Sequence, residues 1–247
     1  MPVLPNNSSI LWLLLDIEGT TSSADFVYKT LFPFASARAE SYLRKHFAED
    51  EIGATVESLR AEHQVEAAQN PQLSKWMNAT ADEEIASATG YVRHLIALDR
   101  KVTPLKTLQG KIWEEGFFNG ELKGHVYEDV PRALVRWREE RKKIAIFSSG
   151  SVLAQRLLFG HSTSGDLTKY IEAYFDTTTG LKREAASYRA IGKALGAETK
   201  TVLFVSDVTA ELDAAREAGM QTALMVRPEA ERPKNPQHGC IANFEEL

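Results

Sequence analysis

The sequence predicts an α/β protein: a doubly wound, mostly parallel sheet with an inserted helical cap. Two observations carry that expectation. Short continuous apolar runs end in small polar or acidic residues and pass into helical periodicity, at 10–23, 142–158 and 200–218. Continuous apolar strands, as opposed to alternating ones, belong to sheets covered on both faces. The second observation is that residues 24–124 show helical spacing and no strand–helix alternation.

The first run is "ILWLLLDIEGTTSS", residues 10–23. Six apolar residues lead to Asp16 and, two residues on, Glu18. Such a strand survives only in a dry core, yet it carries two carboxylates at its tip. Like charges that close repel, and burying them unpaired is costly, so a cation or a shared proton is required there. The segments "EIGATVESLRAEHQVEAAQ" and "DEEIASATGYVRHLIALDR" then read as helices, and "IWEEGFFNGELKG" as a helix end and turn in which Trp113, Phe117 and Phe118 pack into a core. "KKIAIFSSGS" repeats the strand-then-polar-tip logic, with a helix from Val152. "KTVLFVSDVTAELDAAREAGM" places a strand at 202–205, Ser206 and Asp207 at its tip, and a helix closed by Gly219 as its C-cap residue. "QTALMV" is a further strand, closed by Pro228. Domain bounds of 1–23 with 125–247 for the core and 24–124 for the cap follow. In sheets of this kind the site lies beyond the C-terminal strand ends, the edge that Asp16, Ser148 and Asp207 share.

Composition narrows the function. The chain of 247 residues is 43% hydrophobic and 26% charged, enough to bury a sizeable core. A net charge of -5 argues against a nucleic-acid or anionic-membrane partner. Cys240 is the only cysteine, so no internal disulfide forms, which suits a reducing cytosol. No apolar run reaches the length of a membrane span, and "MPVLPNNSS" lacks the basic region and cleavage site of a signal peptide. The expectation is a cytoplasmic monomer acting on a small molecule. His125 and His161 lack the spacing of a zinc site and read as structural or surface residues.

The strand tips suit phosphate-ester chemistry. A phosphate monoester is a dianion that resists anionic attack, so an enzyme needs a cation and an in-line nucleophile. Asp16 and Asp207 can share one Mg²⁺, which prefers oxygen ligands and keeps several waters. The ion would offset the repulsion between the carboxylates and leave one Asp16 oxygen to attack phosphorus, giving an aspartyl-phosphate. Ser148, Ser149 and Gly150 end a strand and open a helix, a ready anion site, with which a plain Ser N-cap is compatible. Lys182 can place an ammonium on the phosphoryl oxygens; alone, it would read as a solvated loop lysine. Glu211, one turn past Asp207, either holds a metal-bound water or is a first-turn acid favoured by the helix dipole.

"DIEGTT", "FSSGS", "GLK" and "SDVTAELDAA" occur in the order of the four motifs of haloacid-dehalogenase-like phosphatases. With "FVYKTLFPFA", "PLKTLQGKIWEEGF" and "GHVYEDVP", the chain resembles their enolase-phosphatase (acireductone synthase) branch over nearly its whole length. Glu18 stands where generic members carry Asp, as that branch has it. Asp25 and the missing Gly-Asn after Arg227-Pro228 depart from the pattern. The resemblance implies one Mg²⁺ per chain, with a main-chain carbonyl near Glu18 joining Asp16 and Asp207 as ligand. It implies that Glu18 protonates the leaving alkoxide and then activates water. It implies conversion of 2,3-diketo-5-methylthiopentyl-1-phosphate to acireductone plus phosphate, in methionine salvage, with Glu18 or a cap residue as the base for enolisation. A phosphatase of another small metabolite and a non-catalytic phosphate-binding relative are the alternatives.

Overall fold

A computed structural model describes residues 9–231, 233–234 and 236–247. Residues 1–8, which hold most of the segment inspected for a leader, lie outside the described residues, as does Arg232.

The chain divides into two compact units, one formed by residues up to Phe26 together with Lys123–Leu247, the other by Val27–Leu122. Among the described residues, the first unit holds the strands β1 (Trp12–Leu15), β2 (Lys143–Phe147), β3 (Ala173–Phe175), β4 (Val202–Ser206), β5 (Gln221–Met225) and β6 (Gly239–Ile241). They make one sheet in the order β3-β2-β1-β4-β5-β6, with every neighbouring pair parallel. β1 and β4 are buried along their whole length, so their continuous apolar sequence is what a two-sided cover demands. The cover is supplied by α6 (Asp129–Glu139), α7 (Val152–Gly160), α8 (Ala185–Ala194) and α9 (Thr209–Glu217), with the short helix α1 (Ala24–Phe26) after the first strand. One face of the core joins Leu14, Phe147 and Phe204 from the sheet to Tyr188 of α8 and Leu212 of α9.

From β1 the chain adds β2 and β3 to one side, then returns to lay β4 against the other side of β1. That reversal is a topological switch point, where an open parallel sheet leaves a crevice beyond its C-terminal ends. Register is shared across it: Leu15 pairs with Ile146 on one side and Val205 on the other. Asp16, Ser148 and Asp207 therefore emerge within a residue or so of one level.

The second unit is helical: α2 (Phe32–His46), α3 (Asp50–Ala67), α4 (Ala81–Ala97) and α5 (Thr103–Phe118). Leu43, Leu59, Val92, Leu95 and Leu108 are fully buried and form its core. α4 begins at a reciprocal capping box between Thr80 and Glu83, which satisfies two orphan N–H groups.

Three details differ from the sequence reading. Ser206 is the last residue of β4 instead of part of its tip. β3 and β6 have three residues each, too few to leave a periodic trace in sequence. Phe118 is not a core residue: it is 70% exposed, while Trp113 and Phe117 are buried. The buried positions of α5 recur as Leu108–Gln109, Ile112–Trp113 and Gly116–Phe117, and Phe118 lies one step of about 100° beyond that stripe. Gly219, at φ +89, ends α9 in the left-handed conformation that a C-cap uses. Among the described residues no helix is long and apolar enough to cross a membrane.

Phe117 and Phe118 make an adjacent contrast. Phe117→Ala should cost roughly 3–5 kcal/mol, the usual range for emptying a buried aromatic site. Phe118→Ala should cost less than about 1 kcal/mol, as exposed positions do. Denaturant melts of the two variants check the difference.

Candidate active site

Asp16 leaves the end of β1 with its backbone N–H bonded to the Val205 carbonyl, which ties the tip of β1 to that of β4. Its side chain is almost fully buried. Oδ1 accepts from the Ile17 N–H at 2.7 Å and from Lys182 Nζ at 2.7 Å. Oδ2 lies 2.9 Å from Ser206 Oγ, which is also 3.2 Å from Glu211 Oε2. A hydroxyl has a single proton, so Ser206 donates to one of these carboxylates at a time.

Lys182 answers the charge problem posed by the first strand. Its Nζ sits 2.7 Å from Asp16 and 2.6 Å from Glu211, with the side chain only 9% exposed. Burial opposes the ammonium, but the charges of Asp16 and Glu211 and their hydrogen bonds overcome that and hold its pKa above the ordinary lysine value. The lysine rides on a loop, and α8 fixes that loop: Ser187 Oγ donates to the Leu181 carbonyl and Tyr188 Oη to the Lys182 carbonyl, both at 2.7 Å. Gly180 packs so tightly on Ser187, at φ +145, that a side chain there would collide with it.

Glu211 is a first-turn residue of α9, as the helix-dipole alternative holds, and is also an ion-pair partner of Lys182. Burial, then the Asp16 charge, push its carboxyl up to about 7. Asp207 follows β4. The residue as a whole is exposed, but its carboxylate is packed against Gly19, where a Cβ would collide with it. Desolvation of that packed carboxylate, then the Asp16 charge, push it up to about 6, despite an opposing hydrogen bond from its own backbone N–H. Glu18 is half-buried on the turn between Asp16 and Gly19, and its charge raises Asp207 a little further.

Ser148, Ser149 and Gly150 follow β2. Ser148 is buried and its Oγ accepts from the Gly150 N–H at 3.2 Å. The N-cap of α7 is Ser151, which accepts from the Ala154 N–H; Ser148 is not the cap. Gln155 braces the turn by donating to the carbonyls of Gly150 and Phe175 at 2.8 Å each. His125 is a structural acceptor, taking the Ser23 N–H at 3.2 Å, and His161 is the C-cap residue of α7.

The structure thus joins Asp16 directly to Lys182 and sets the Ser148 turn and Asp207 on the flanking strands. Sequence reasoning set Ser206 at a strand tip without giving it a task, and left Glu211 open. Among the described residues no three His, Cys, Asp or Glu side chains stand together as a metal cluster. The carboxylates that could hold a cation are Asp16 and Asp207, beside the half-buried Gly19. That set suits Mg²⁺, which is held by one or two carboxylates plus waters and substrate oxygens.

The haloacid dehalogenase-like hydrolase family matches residues 10–219. "Enolase-phosphatase E1" of Synechococcus elongatus is 49% identical over 99% of this chain and 100% of its own length. The protein of that name in Drosophila melanogaster is 46% identical over 87% of this chain and 83% of its own. Among solved structures, the "Unknown transcript 4 protein" of Saccharomyces cerevisiae has a TM-score of 0.78 at 32% identity, covering 96% of this chain and all of that one. A "HAD phosphatase" from Thermococcus onnurineus shares the fold, with a TM-score of 0.57 at 19% identity over 96% of this chain.

A carboxyl with a raised pKa binds its proton more tightly in the folded state than in the unfolded chain. Its stabilisation is full below the ordinary carboxylate range and is lost as pH rises through the folded value. Asp207→Asn removes this penalty. Without metal, the variant's melting temperature should rise relative to the parent's as pH climbs from about 4 to about 7, through the value of about 6 held by Asp207. Mg²⁺ should raise the parent's melting temperature at neutral pH and leave the variant's nearly unchanged; a full shift in the variant would remove Asp207 from the ligand set.

Proposed function

The chain belongs to the haloacid dehalogenase-like hydrolases and, within them, to the enolase-phosphatase E1 family, and on that premise we propose that it converts 2,3-diketo-5-methylthiopentyl-1-phosphate to acireductone plus phosphate in the cytosolic salvage of methionine. The observation that supports this most is the Lys182 ammonium held between Asp16 and Glu211 at the sheet's switch point. Its charge is available to a phosphoryl group brought to Asp16.

Each residue then has a task. The Ser148 hydroxyl with the N–H groups of Ser149 and Gly150 receives phosphoryl oxygens at the end of β2. Lys182 steadies those oxygens and lessens their repulsion of the nucleophile. An Asp16 oxygen forms the new O–P bond, and the P–O bond to the alcohol breaks. Glu18 passes its proton to the leaving oxygen, then takes one from the water that cleaves the aspartyl-phosphate. Mg²⁺, held by Asp16, Asp207 and a main-chain carbonyl near Glu18, would supply charge neutralisation for the phosphoryl group. In the enolase half-reaction a carbon-bound proton passes to Glu18 or to a residue of the helical unit, and the Lys182 charge meets the enolate oxygen. The helical unit Val27–Leu122 is assigned the part of a cap that selects among phosphate esters.

Asp16→Asn separates the two half-reactions. The amide keeps the shape of the side chain but is a very poor nucleophile. At saturating Mg²⁺, phosphate release should fall by several orders of magnitude and enolisation by much less. The phosphorylated enol should then accumulate, visible by ultraviolet absorbance or phosphorus NMR. A variant that binds substrate and forms no enol would overturn this division of labour.

Lys182→Ala should lower turnover on the order of 10²-fold, the usual cost of one stabilising donor. Steady-state kinetics give the check: a change confined to the Michaelis constant would mean uniform binding instead.

A further inference from the structure

Arg227 follows β5 by two residues and is only 4% exposed. A buried guanidinium is costly unless it is paired and fully hydrogen-bonded. Here Nη1 donates to both carboxylate oxygens of Asp129, at 2.8 and 2.9 Å. Asp129 is itself buried at the start of α6, and its Oδ2 also accepts the Phe244 N–H at 2.7 Å. The guanidinium lies between aromatic faces, 4.0 Å from the Tyr127 ring centre and 5.1 Å from that of Phe244. Tyr127 is in turn bonded through its hydroxyl to Glu229.

The other edge of the guanidinium faces the turn after β1. Nε and Nη2 both donate to the Thr20 carbonyl, at 3.0 and 2.5 Å. That turn is mostly closed on itself, although Ser22 Oγ also lies 3.2 Å from His125 Nδ1. The N–H groups of Thr20, Thr21 and Ser22 converge on the Ile17 carbonyl, and Thr21 Oγ1 donates to the Asp16 carbonyl at 2.9 Å. Outside help comes at two adjacent carbonyls: the Tyr127 N–H holds that of Thr21, and Arg227 holds that of Thr20. Glu18 sits on the loop so clamped, next to Gly19, whose φ of +66 marks the bend. Release of the Thr20 carbonyl removes the outside hold on the Thr20–Thr21 peptide, and the shift passes back through Gly19 to Glu18. Asp16 is anchored separately, by β4 and Lys182.

We propose that Arg227 is a positioning residue for phosphate-ester cleavage: clamped by Asp129, it holds the Thr20 carbonyl and thereby aims Glu18 at the leaving oxygen. This rests on the reading of Glu18 as the proton donor. In the step concerned the Asp16–phosphorus bond forms, the bond from phosphorus to the alcohol oxygen breaks, and the proton of Glu18 goes to that oxygen. An alkoxide leaving group needs the proton, whereas nitrophenolate leaves without it. A misaimed Glu18 therefore slows alkyl esters far more than nitrophenyl phosphate. A structural defect slows both alike.

The test is single-turnover release of the alcohol from 5-methylthiopentyl phosphate, an alkyl ester with no carbonyl to enolise, and from nitrophenyl phosphate, in the Mg²⁺-loaded protein. Glu18→Gln sets the reference and should lose about 10²-fold or more on the alkyl ester, the contribution typical of a general acid, with a much smaller loss on the aryl ester. Arg227→Lys keeps the charge but cannot fork between Asp129 and Thr20. It should lose roughly 10- to 100-fold on the alkyl ester, as small misplacements do, and less than about threefold on the aryl ester. Should Arg227→Lys fail to fold, Tyr127→Leu decides, because it removes one aromatic wall and leaves the ion pair; it should show the same bias more weakly. Bias in Glu18→Gln and equal losses in the variant that folds would overturn the proposal alone. Absence of bias in Glu18→Gln would overturn the reading of Glu18 on which it rests.

Discussion

One ammonium between two buried carboxylates governs the centre of this protein. Lys182 Nζ lies within 2.7 Å of both Asp16 and Glu211. Taking three charges out of water carries a large desolvation cost, and close contact with good geometry offsets it. The balance is incomplete, since three carboxylates, Asp16, Asp207 and Glu211, stand against one ammonium. Burial first, and the uncompensated Asp16 charge second, raise the pKa of Asp207 to about 6 and of Glu211 to about 7. Such an unbalanced site has an electrostatic demand for a cation, and a substrate that brings a dianion has the same demand.

The scaffold serves this cluster by cross-linking loops. Asp176, just past β3, accepts the Val152 N–H at the start of α7 through Oδ2 and the Thr178 N–H at 2.9 Å through Oδ1. It thus connects the Ser148 turn to the segment that carries Lys182. Tyr188 is fully buried between Phe147 and Phe204, with ring centres 5.5 and 5.1 Å away, and its hydroxyl still reaches the Lys182 carbonyl. A loop lysine acquires a fixed place because an aromatic core residue holds its backbone. Side chains locked by packing and by a second layer of hydrogen bonds are what keep reacting groups in register.

Much of this was legible in the chain itself. β1, β2 and β4 announced themselves as continuous apolar runs, because a strand covered on both faces has no polar position to alternate with, and β5 as a shorter one closed by Pro228. Asp16, Ser148 and Asp207 were marked by where those runs stop. β3 and β6 were not legible, since three residues carry no period. Phe118 was misread because an apolar count does not say which side of α5 faces its neighbours. Glu211 stayed open because a first-turn acid has a local explanation that needs no partner, and the partner lies 29 residues away in sequence.

By itself, the sequence determined the layered α/β class, the helical second unit and which carboxylates would meet at one sheet edge. Those follow from local rules: periodicity, burial and the polarity of strand ends. Tertiary structure alone decided what neutralises them. Lys182 and Arg227 look alike in sequence, each a cation on a loop, yet one meets the Asp16 carboxylate and the other a carbonyl behind the turn. Long side chains from loops find their partners through the packing of distant elements, α8 for Lys182 and α6 with the C-terminal Phe244 for Arg227. No local propensity encodes those distances; they exist only once the hydrophobic core has fixed where the elements lie.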